Sequence, residues 1–343
     1  MDIVIKSCNR PYLLDQVIVS VKKFAGVLNG SIIVVDDGTP EKYLTELKKR
    51  HPEIQIHSSG RNIVSGISDS ATKSINLERI MSCWKNTIQN FAGEYFLLLE
   101  DDIWLTQRID LEEVAKVMKM RETVFLNIMK MNRFFEMLEV FPFSQFDFSI
   151  MIGRPLFLER CQKSIFFRSL MFFQLSNRKL IRAITKLAKV FGVFPHEQWI
   201  RNYQMYGVAG GVYLKSWWLD VWSGDHDRIN EHAQMHRALK SYLKSPSQTM
   251  GQLVPCAAFT TLRSSSSEKF GDRGIPDFQV SVMNSVLNEV WLHSKCDFFN
   301  SNGDLDQNFV IQKFLDSGLD KKFGQDWVTW WSTIQGRYQK IGF

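Results

Sequence analysis

The sequence predicts an α/β protein whose central sheet is mostly parallel and is flanked by helices. Short apolar segments of strand length alternate with segments of helical periodicity over about the first hundred residues. These apolar segments lack polar alternation, which is typical of strands buried on both faces of a parallel sheet. Each of them ends in polar residues, glycine or proline that cannot continue a strand. Together these observations favour a sheet covered by helices on both sides.

The predicted elements follow one another in a regular order. The predicted strands are 3–5, 31–35, 54–56 and 95–99, and the predicted helices between them are 12–24, 41–50 and 77–91. In an alternating arrangement of this kind the carboxyl ends of the parallel strands meet at one edge of the sheet. We therefore expect any ligand site at that edge.

Composition and charge fit a globular protein. The chain has 343 residues with a formal net charge of +6, and its 45% hydrophobic and 23% charged residues exclude a disordered or fibrous chain. No apolar stretch approaches the roughly 20 residues of a membrane-spanning helix, and residues 1–6 are typical of a first strand rather than of a secretion signal. Five widely spaced cysteines indicate neither a disulfide framework nor a zinc site. We therefore expect a cytoplasmic protein.

Three of the predicted strands end in residues that can carry chemistry. Residues 7–10 follow the first strand, Asp36 and Asp37 follow the second, and the acidic run 100–102 follows the fourth. Several carboxylates in one crevice repel each other unless a cation compensates their charge. Hard oxygen ligands of this kind favour Mg²⁺ or Mn²⁺ over Zn²⁺.

In this order the three motifs resemble the successive signatures of nucleotide-sugar glycosyltransferases with the GT-A fold. The matching segments are Asn-Arg-Pro at 9–11, Val-Asp-Asp-Gly-Thr at 35–39, and 93–102, which ends in Glu-Asp-Asp. The last is similar to the metal motif of family 2-like and N-acetylglucosaminyltransferase-type enzymes. The resemblance covers residues 1–105 and is patchier beyond. It implies a GT-A fold, here with a helical insertion and a helical C-terminal extension.

The resemblance also implies roles for the acidic residues. Asp36 or Asp37 would accept a hydrogen bond from the uracil or ribose of a nucleoside diphosphate sugar, with a UDP-sugar favoured, and Asp101 would contact ribose or sugar hydroxyls. Asp102 would ligate Mn²⁺ or Mg²⁺ on the diphosphate, where a Lewis acid holds the charge of the leaving group. The other residues implied to contact the donor are Ser7, Asn9, Arg10, Arg61, Gly210, Gly211 and Arg263. The alternative is that the acidic pairs only form a turn and a helix cap.

A glycine-containing segment at 207–211 precedes an apolar strand, and its glycines allow a backbone to approach a ligand closely. In the GT-A family such a segment resembles the floor of the donor-sugar pocket, and the next helix carries the catalytic carboxylate. Asp227 and Glu231 are four residues apart and would share one face of that helix. We favour Glu231 as the general base of an inverting transfer, with Asp227 as the reserve. Asn230-Glu231-His232 departs from the family's usual acidic pair.

Two further features leave alternatives open. His232 and His236 lack the order of a zinc-protease motif, so we interpret them as a surface pair. Arg263 begins a run of four serines, and this polar loop would either close over the diphosphate or be a solvated loop.

A basic segment lies in the middle of the chain. Residues 154–189 contain nine basic residues and one acidic residue, interleaved with Phe, Leu and Ile. This pattern predicts basic amphipathic helices that dock on an anionic membrane, or a helical insertion with a solvated basic face, or a track for nucleic acid. Co-sedimentation with neutral and anionic vesicles distinguishes these, because only membrane docking predicts salt-sensitive recovery on anionic vesicles.

The chain divides into four predicted segments. These are 1–140, the nucleotide-sugar-binding half; 141–195, the basic helical insertion; 196–280, the acceptor and catalytic half; and 281–343, the helical C-terminal extension. The resemblance implies a metal-dependent glycosyltransferase with a glycan or lipid-linked acceptor, acting in surface polysaccharide synthesis at the inner face of the cytoplasmic membrane.

The alternatives are a nucleotidyltransferase, a basic nucleic-acid- or membrane-binding module, and a glycosyltransferase acting on modified DNA. A nucleotidyltransferase should carry a glycine-rich basic loop after the first strand, which residues 7–11 do not form. A binding module leaves the acidic strand ends unexplained. We expect no nucleic-acid partner.

Overall fold

The structure is a computed structural model. It describes residues 1–26, 29–60, 70–129, 135–143, 148–155, 158, 163–165, 206–224, 231–245, 247–265, 275–294 and 297–340.

Eleven strands and nine helices lie within these described residues. The strands are β1 Asp2–Ser7, β2 Ile32–Asp36, β3 Gln55–Ser58, β4 Tyr95–Glu100, β5 Ile103–Leu105, β6 Thr123–Asn127, β7 Phe135–Phe143, β8 Phe148–Pro155, β9 Gly211–Leu214, β10 Thr249–Val254 and β11 Ala258–Thr260. The helices are α1 Pro11–Phe24, α2 Glu41–Arg50, α3 Ser70–Phe91, α4 Leu111–Met120, α5 Lys215–Trp222, α6 Glu231–Lys244, α7 Val280–His293, α8 Gln307–Asp316 and α9 Lys321–Lys340. The predicted elements of the first hundred residues are confirmed, with α3 beginning earlier than the predicted residue 77.

Nine of the strands form one sheet in the order β3-β2-β1-β4-β9-β6-β10-β8-β7. The first four of these strands are mutually parallel, as predicted. β9 runs antiparallel to both β4 and β6, and Gly211 at its start pairs with Leu98 near the end of β4. This reversal places the glycine-containing segment at the same sheet edge as the carboxyl ends of β1, β2 and β4.

Strands β1, β2 and β4 are buried on both faces, which explains the absence of polar alternation in them. Along β1, Ile3 and Ile5 belong to one apolar core, whereas Val4 belongs to the other. β4 alternates in the same way, with Leu97 and Leu99 in the first core and Phe96 and Leu98 in the second. Burial of this kind contributes roughly 1.5–3 kcal/mol for each large aliphatic side chain.

The C-terminal helices pack on the first of these cores. Trp327 and Trp330 on α9 and Trp291 on α7 are buried there together with residues of α1. The expectation of C-terminal helices is therefore confirmed, and these tryptophans act in packing. The division of the chain into four functional segments stays a prediction.

The predicted helical insertion is wrong where it begins. Residues 148–155 form strand β8, which pairs antiparallel with β10 and with β7. Phe148, Ile150 and Ile152 are buried while the residues between them are partly exposed, so the period is that of a strand. Most of the basic segment 154–189 lies outside the described residues. Among the described helices, none is long and apolar enough to cross a membrane.

Candidate functional site

The structure brings three polar strand ends together. β2, β1 and β4 are neighbours, with Ser7 in register with Asp36 and Lys6 in register with Glu100. Beyond the strands the pairing continues, because the Asp37 amide donates to the Ser7 carbonyl at 2.8 Å and the Asp101 amide donates to the Lys6 carbonyl at 2.9 Å. Residues 7–10, Asp36–Asp37 and Glu100–Asp102 therefore line one edge of the sheet, where open α/β sheets bind ligands.

The Asp36 carboxylate closes its own turn. Its Oδ2 accepts from the amides of Gly38 and Thr39, both at 3.0 Å, and from Ser58 Oγ at 3.4 Å. The residue is fully buried, and this burial raises the pKa of Asp36 while the hydrogen bonds act to lower it. Asp37 follows at the sheet edge and is 9% exposed. Asp36 thus shapes the turn, and Asp37 is the more accessible member of the pair.

The Asp101 carboxylate is surrounded by donors from the β1–α1 loop. Arg10 donates to both of its oxygens, through Nη2 to Oδ1 and through Nε to Oδ2 at 3.3 Å. The Cys8 amide and Ser7 Oγ also donate to Oδ2, at 3.0 and 3.3 Å. Burial raises the pKa of Asp101, and the Arg10 guanidinium opposes that rise. The positive charge that we expected from a metal is supplied to Asp101 by Arg10.

Asp102 is held more loosely than its neighbour. Its Oδ2 accepts from Arg10 Nη1 at 3.0 Å, and its side chain is 18% exposed. Among the described residues nothing donates to Oδ1. The pKa of Asp102 is raised to about 6, mainly by burial and also by the Glu100 and Asp101 carboxylates, while the Arg10 guanidinium opposes the rise. The Asp102 side chain is therefore oriented by Arg10 and partly exposed.

Lys6 is a site residue that the sequence analysis missed. Its side chain is 5% exposed, and its Nζ donates to Glu100 Oε1 at 2.7 Å and to the Val208 carbonyl at 3.2 Å. The ammonium also lies over the rings of Trp84 and Trp222, at 4.9 and 5.8 Å from their centroids. Lys6 thereby ties the end of β4 to the glycine-containing segment. A lysine within an otherwise apolar strand is the signal that could have revealed it.

Two of the three glycines of that segment, Gly210 and Gly211, are required by the backbone. Gly210 has φ +73°, and its amide donates to the Leu98 carbonyl at 2.8 Å. A Cβ on Gly211 would lie 2.6 Å from Cε2 of Phe125, so this strand start cannot accept a side chain without displacement. Both glycines lie beside the end of β4, and their contact with a donor sugar stays a prediction.

Other predicted residues are placed differently or lie outside the described residues. Arg263 donates through Nη1 to the Leu305 carbonyl, pairs with Asp304 at 3.1 Å and lies 4.5 Å from the ring centroid of Trp331. Its guanidinium is thus engaged by the C-terminal region, and closure over a diphosphate stays a prediction. Arg61, Asp227 and the side chains of Glu231 and His232 lie outside the described residues.

The acidic strand ends fit a divalent ion that is shared with a diphosphate. Over the ranges that the structure describes, no three His, Cys, Asp or Glu side chains are grouped closely enough to hold a metal by themselves. Mg²⁺ in nucleotide sites is usually bound by one or two carboxylates together with substrate phosphates. Asp102 Oδ1, a hard oxygen without a protein donor among the described residues, suits that arrangement.

No family model matches the sequence, and no curated relative matches it. Among solved structures the chain is similar to S. aureus TarS 1-349 in complex with UDP, with 12% identity and a TM-score of 0.41, covering 92% of this chain and 69% of that one. It is also similar to S. aureus TarS, with 9% identity and a TM-score of 0.40, covering 95% of this chain and 42% of that one. A third is the WbbM bifunctional glycosyltransferase, with 11% identity and a TM-score of 0.34, covering 91% of this chain and 49% of that one.

The chain thus spans less than half the length of TarS. Because the TM-scores lie below 0.5, these likenesses carry no argument about function.

Proposed function

We propose that this protein is a metal-dependent glycosyltransferase of the GT-A type. It would move a sugar, with inversion, from a nucleoside diphosphate donor, UDP being favoured, to a glycan or lipid-linked acceptor in surface polysaccharide synthesis. One observation carries the proposal: two acidic pairs and the β1–α1 loop converge at adjacent strand ends, and the Asp102 side chain, held by Arg10, remains partly exposed. Peripheral membrane contact through 154–189 stays part of the proposal.

Asp101 and Arg10 act together as a positioning pair. Arg10 uses Nη2 and Nε for Asp101 and Nη1 for Asp102, so the buried Asp101 fixes the guanidinium that fixes Asp102. A guanidinium presents its donors in a rigid fork, which suits this double contact. The Asp102 carboxylate is therefore oriented before any ligand arrives. Such preorganisation avoids reorganisation at the moment of reaction.

Asp102 Oδ1 would hold Mn²⁺ or Mg²⁺ together with oxygens of the donor diphosphate. The ion would supply Lewis-acid stabilisation of the charge that develops on the leaving nucleoside diphosphate. Asp37 and the β1–α1 loop, with Ser7 and Asn9, would contact the nucleoside on the other side of the same crevice.

A carboxylate near the start of α6 would serve as general base. In an inverting transfer the acceptor oxygen bonds to the anomeric carbon as the bond to the diphosphate oxygen breaks, and the base takes the acceptor's proton. Glu231 is the first residue of α6, and Asp227 precedes it. We expect Glu231→Gln to keep donor affinity and lose turnover, because only transition-state proton transfer is removed. Near-normal turnover would transfer the role to Asp227.

The assay that tests the proposed function is slow hydrolysis of UDP- and GDP-sugars by the full chain, with Mn²⁺ and with EDTA. We expect release of the nucleoside diphosphate that EDTA abolishes. Failure to bind or hydrolyse any of these donors would contradict the proposal. Release of pyrophosphate from a nucleoside triphosphate would indicate a nucleotidyltransferase instead.

A further inference from the structure

Two buried asparagines lie one turn apart on α7. Asn284 is 6% exposed and Asn288 is 1% exposed. Residues four apart share one face of a helix, so both amides project from the same side of α7. Their neighbours on that helix, Met283 and Leu287, pack in the apolar core, whereas the two amides make polar contacts with residues from other parts of the chain.

Asn284 joins the first turn of α1 to the segment that follows β11. Its Oδ1 accepts from Tyr12 Oη at 2.9 Å and from Ser264 Oγ at 3.2 Å, and its Nδ2 donates to the Ser265 carbonyl at 3.0 Å. Tyr12 Oη and Ser264 Oγ are also 3.1 Å apart. One amide thus links both segments.

Asn288 reaches the β1–α1 loop itself. Its Nδ2 donates to the backbone carbonyl of Asn9 at 3.1 Å and to Asn9 Oδ1 at 3.2 Å. Asn9 has φ +50°, a left-handed conformation that costs free energy for most residues. The Asn9 amide in turn donates to Thr39 Oγ1 at 3.0 Å, in the turn that Asp36 closes.

The side-chain oxygen of Asn288 is evidence against a role in packing alone. Its Oδ1 is buried and accepts no hydrogen bond from the described residues. A buried polar oxygen without a donor costs free energy. What Asn288 contributes among the described residues is therefore its contact with Asn9.

We propose that Asn284 and Asn288 are positioning residues that hold the β1–α1 loop and residues 264–265 in the arrangement that binds the donor. The inference rests on the proposed function. Few contacts connect Asn9 with Asp102. Cys8 and Arg10, on either side of Asn9, both donate to Asp101, and Arg10 orients Asp102. A displacement at Asn9 therefore misaligns the oxygen proposed to hold the metal.

The test compares Asn288→Ala and Asn284→Ala with Ser285→Ala, an exposed position on the same helix. Hydrogen exchange by mass spectrometry is measured on the peptide that contains Cys8 and Asn9, and the affinity for UDP and GDP with Mn²⁺ is measured by calorimetry. We expect exchange in this peptide to become at least about tenfold faster in Asn288→Ala, and donor affinity to become about tenfold weaker in both asparagine variants, with melting temperatures close to wild type. Ser285→Ala should match wild type in both measurements.

Asn288→Leu is the second variant, because leucine has the same branched skeleton and lacks the donor. It should reproduce the effects of Asn288→Ala if the hydrogen bonds matter and should resemble wild type if only packing matters. Unchanged exchange in the 8–9 peptide would overturn the inference whatever the ligand is. Faster exchange with unchanged affinity would also overturn it. Absence of UDP and GDP binding by the wild type would instead overturn the proposed function, and the assignment of these residues to donor binding with it.

Discussion

Asp36 and Asp37 stand at the end of β2, Asp101 and Asp102 follow directly after β4, and the protein uses the two pairs differently. In each pair the first carboxylate is buried, since Asp36 is 0% and Asp101 is 1% exposed. Asp36 is satisfied by the amides of its own turn, Gly38 and Thr39, and by Ser58 Oγ. Asp101 is satisfied by Arg10, Cys8 and Ser7, which lie more than ninety residues away in the sequence.

The difference lies in what neutralises the charge. Asp36 is surrounded by neutral donors, the amides of its own turn and Ser58 Oγ, whereas Asp101 shares a buried guanidinium with Asp102. Removing one partner of a buried ion pair leaves the other charge uncompensated, which costs more than the loss of a neutral hydrogen bond. The β4 end should therefore be the more sensitive of the two turns, and it alone couples stability to the orientation of a second carboxylate.

The largest effect is expected for Asp101→Ala. Arg10 would keep only Asp102 as a partner, so the free energy of unfolding should fall by about 3–5 kcal/mol. Urea denaturation followed by circular dichroism measures this loss. Asp101→Asn, which retains an acceptor for the Cys8 amide, should lose less. A loss in Asp101→Ala below about 1 kcal/mol would mean that Arg10 is solvated or finds another partner.

Asp36→Ala should have an intermediate effect. Two backbone amides lose their acceptor, so we expect a loss of about 2 kcal/mol in the same denaturation experiment. Asp36→Asn keeps an acceptor oxygen and serves as the matched control, with a smaller expected loss. If Asp36→Ala destabilised the protein as strongly as Asp101→Ala, the distinction between local and long-range neutralisation would be wrong.

The smallest effect concerns Asn9, whose amide donates to Thr39 Oγ1 in the turn after β2 and whose neighbours Cys8 and Arg10 donate to Asp101. At φ +50° a Cβ is disfavoured, so Asn9→Ala should unfold about 1 kcal/mol more easily than Asn9→Gly. The comparison between these two variants isolates backbone strain, because both lack the asparagine side chain. Equal stabilities would show that the loop relaxes away from the left-handed conformation.

Much of the fold followed from local pattern. The alternation of apolar strands with helices predicted β1 to β4 and α1 to α3, because burial on both faces leaves a direct mark on the sequence. The convergence of the strand ends followed from parallel topology. β8 was missed because its alternation of buried and half-buried residues lies next to a segment rich in basic and aromatic residues, which favours a helical interpretation.

The location of the site could be predicted from the sequence, whereas the roles of its individual residues could not. Arg10 was expected at the donor, but its pairing with Asp101 connects residues 91 apart and leaves no local mark. For the same reason Lys6 and the α7 asparagines escaped notice, since their partners lie on distant segments. We interpreted the cluster of carboxylates as evidence for a bound metal ion alone. In the structure, lysine and arginine side chains of the protein compensate part of its negative charge.

The central claim is that the first aspartate after β4 builds the turn and the second, Asp102, binds metal with the donor. Calorimetric titration of UDP and GDP with Mn²⁺ into the wild type, Asp102→Asn and the exposed control Asp220→Asn tests it most directly. We predict Mn²⁺-dependent binding in the wild type and in Asp220→Asn, and its loss in Asp102→Asn with a smaller loss of unfolding free energy than in Asp101→Ala, because Arg10 keeps both contacts with Asp101. Mn²⁺-dependent binding of equal strength in Asp102→Asn would contradict the account.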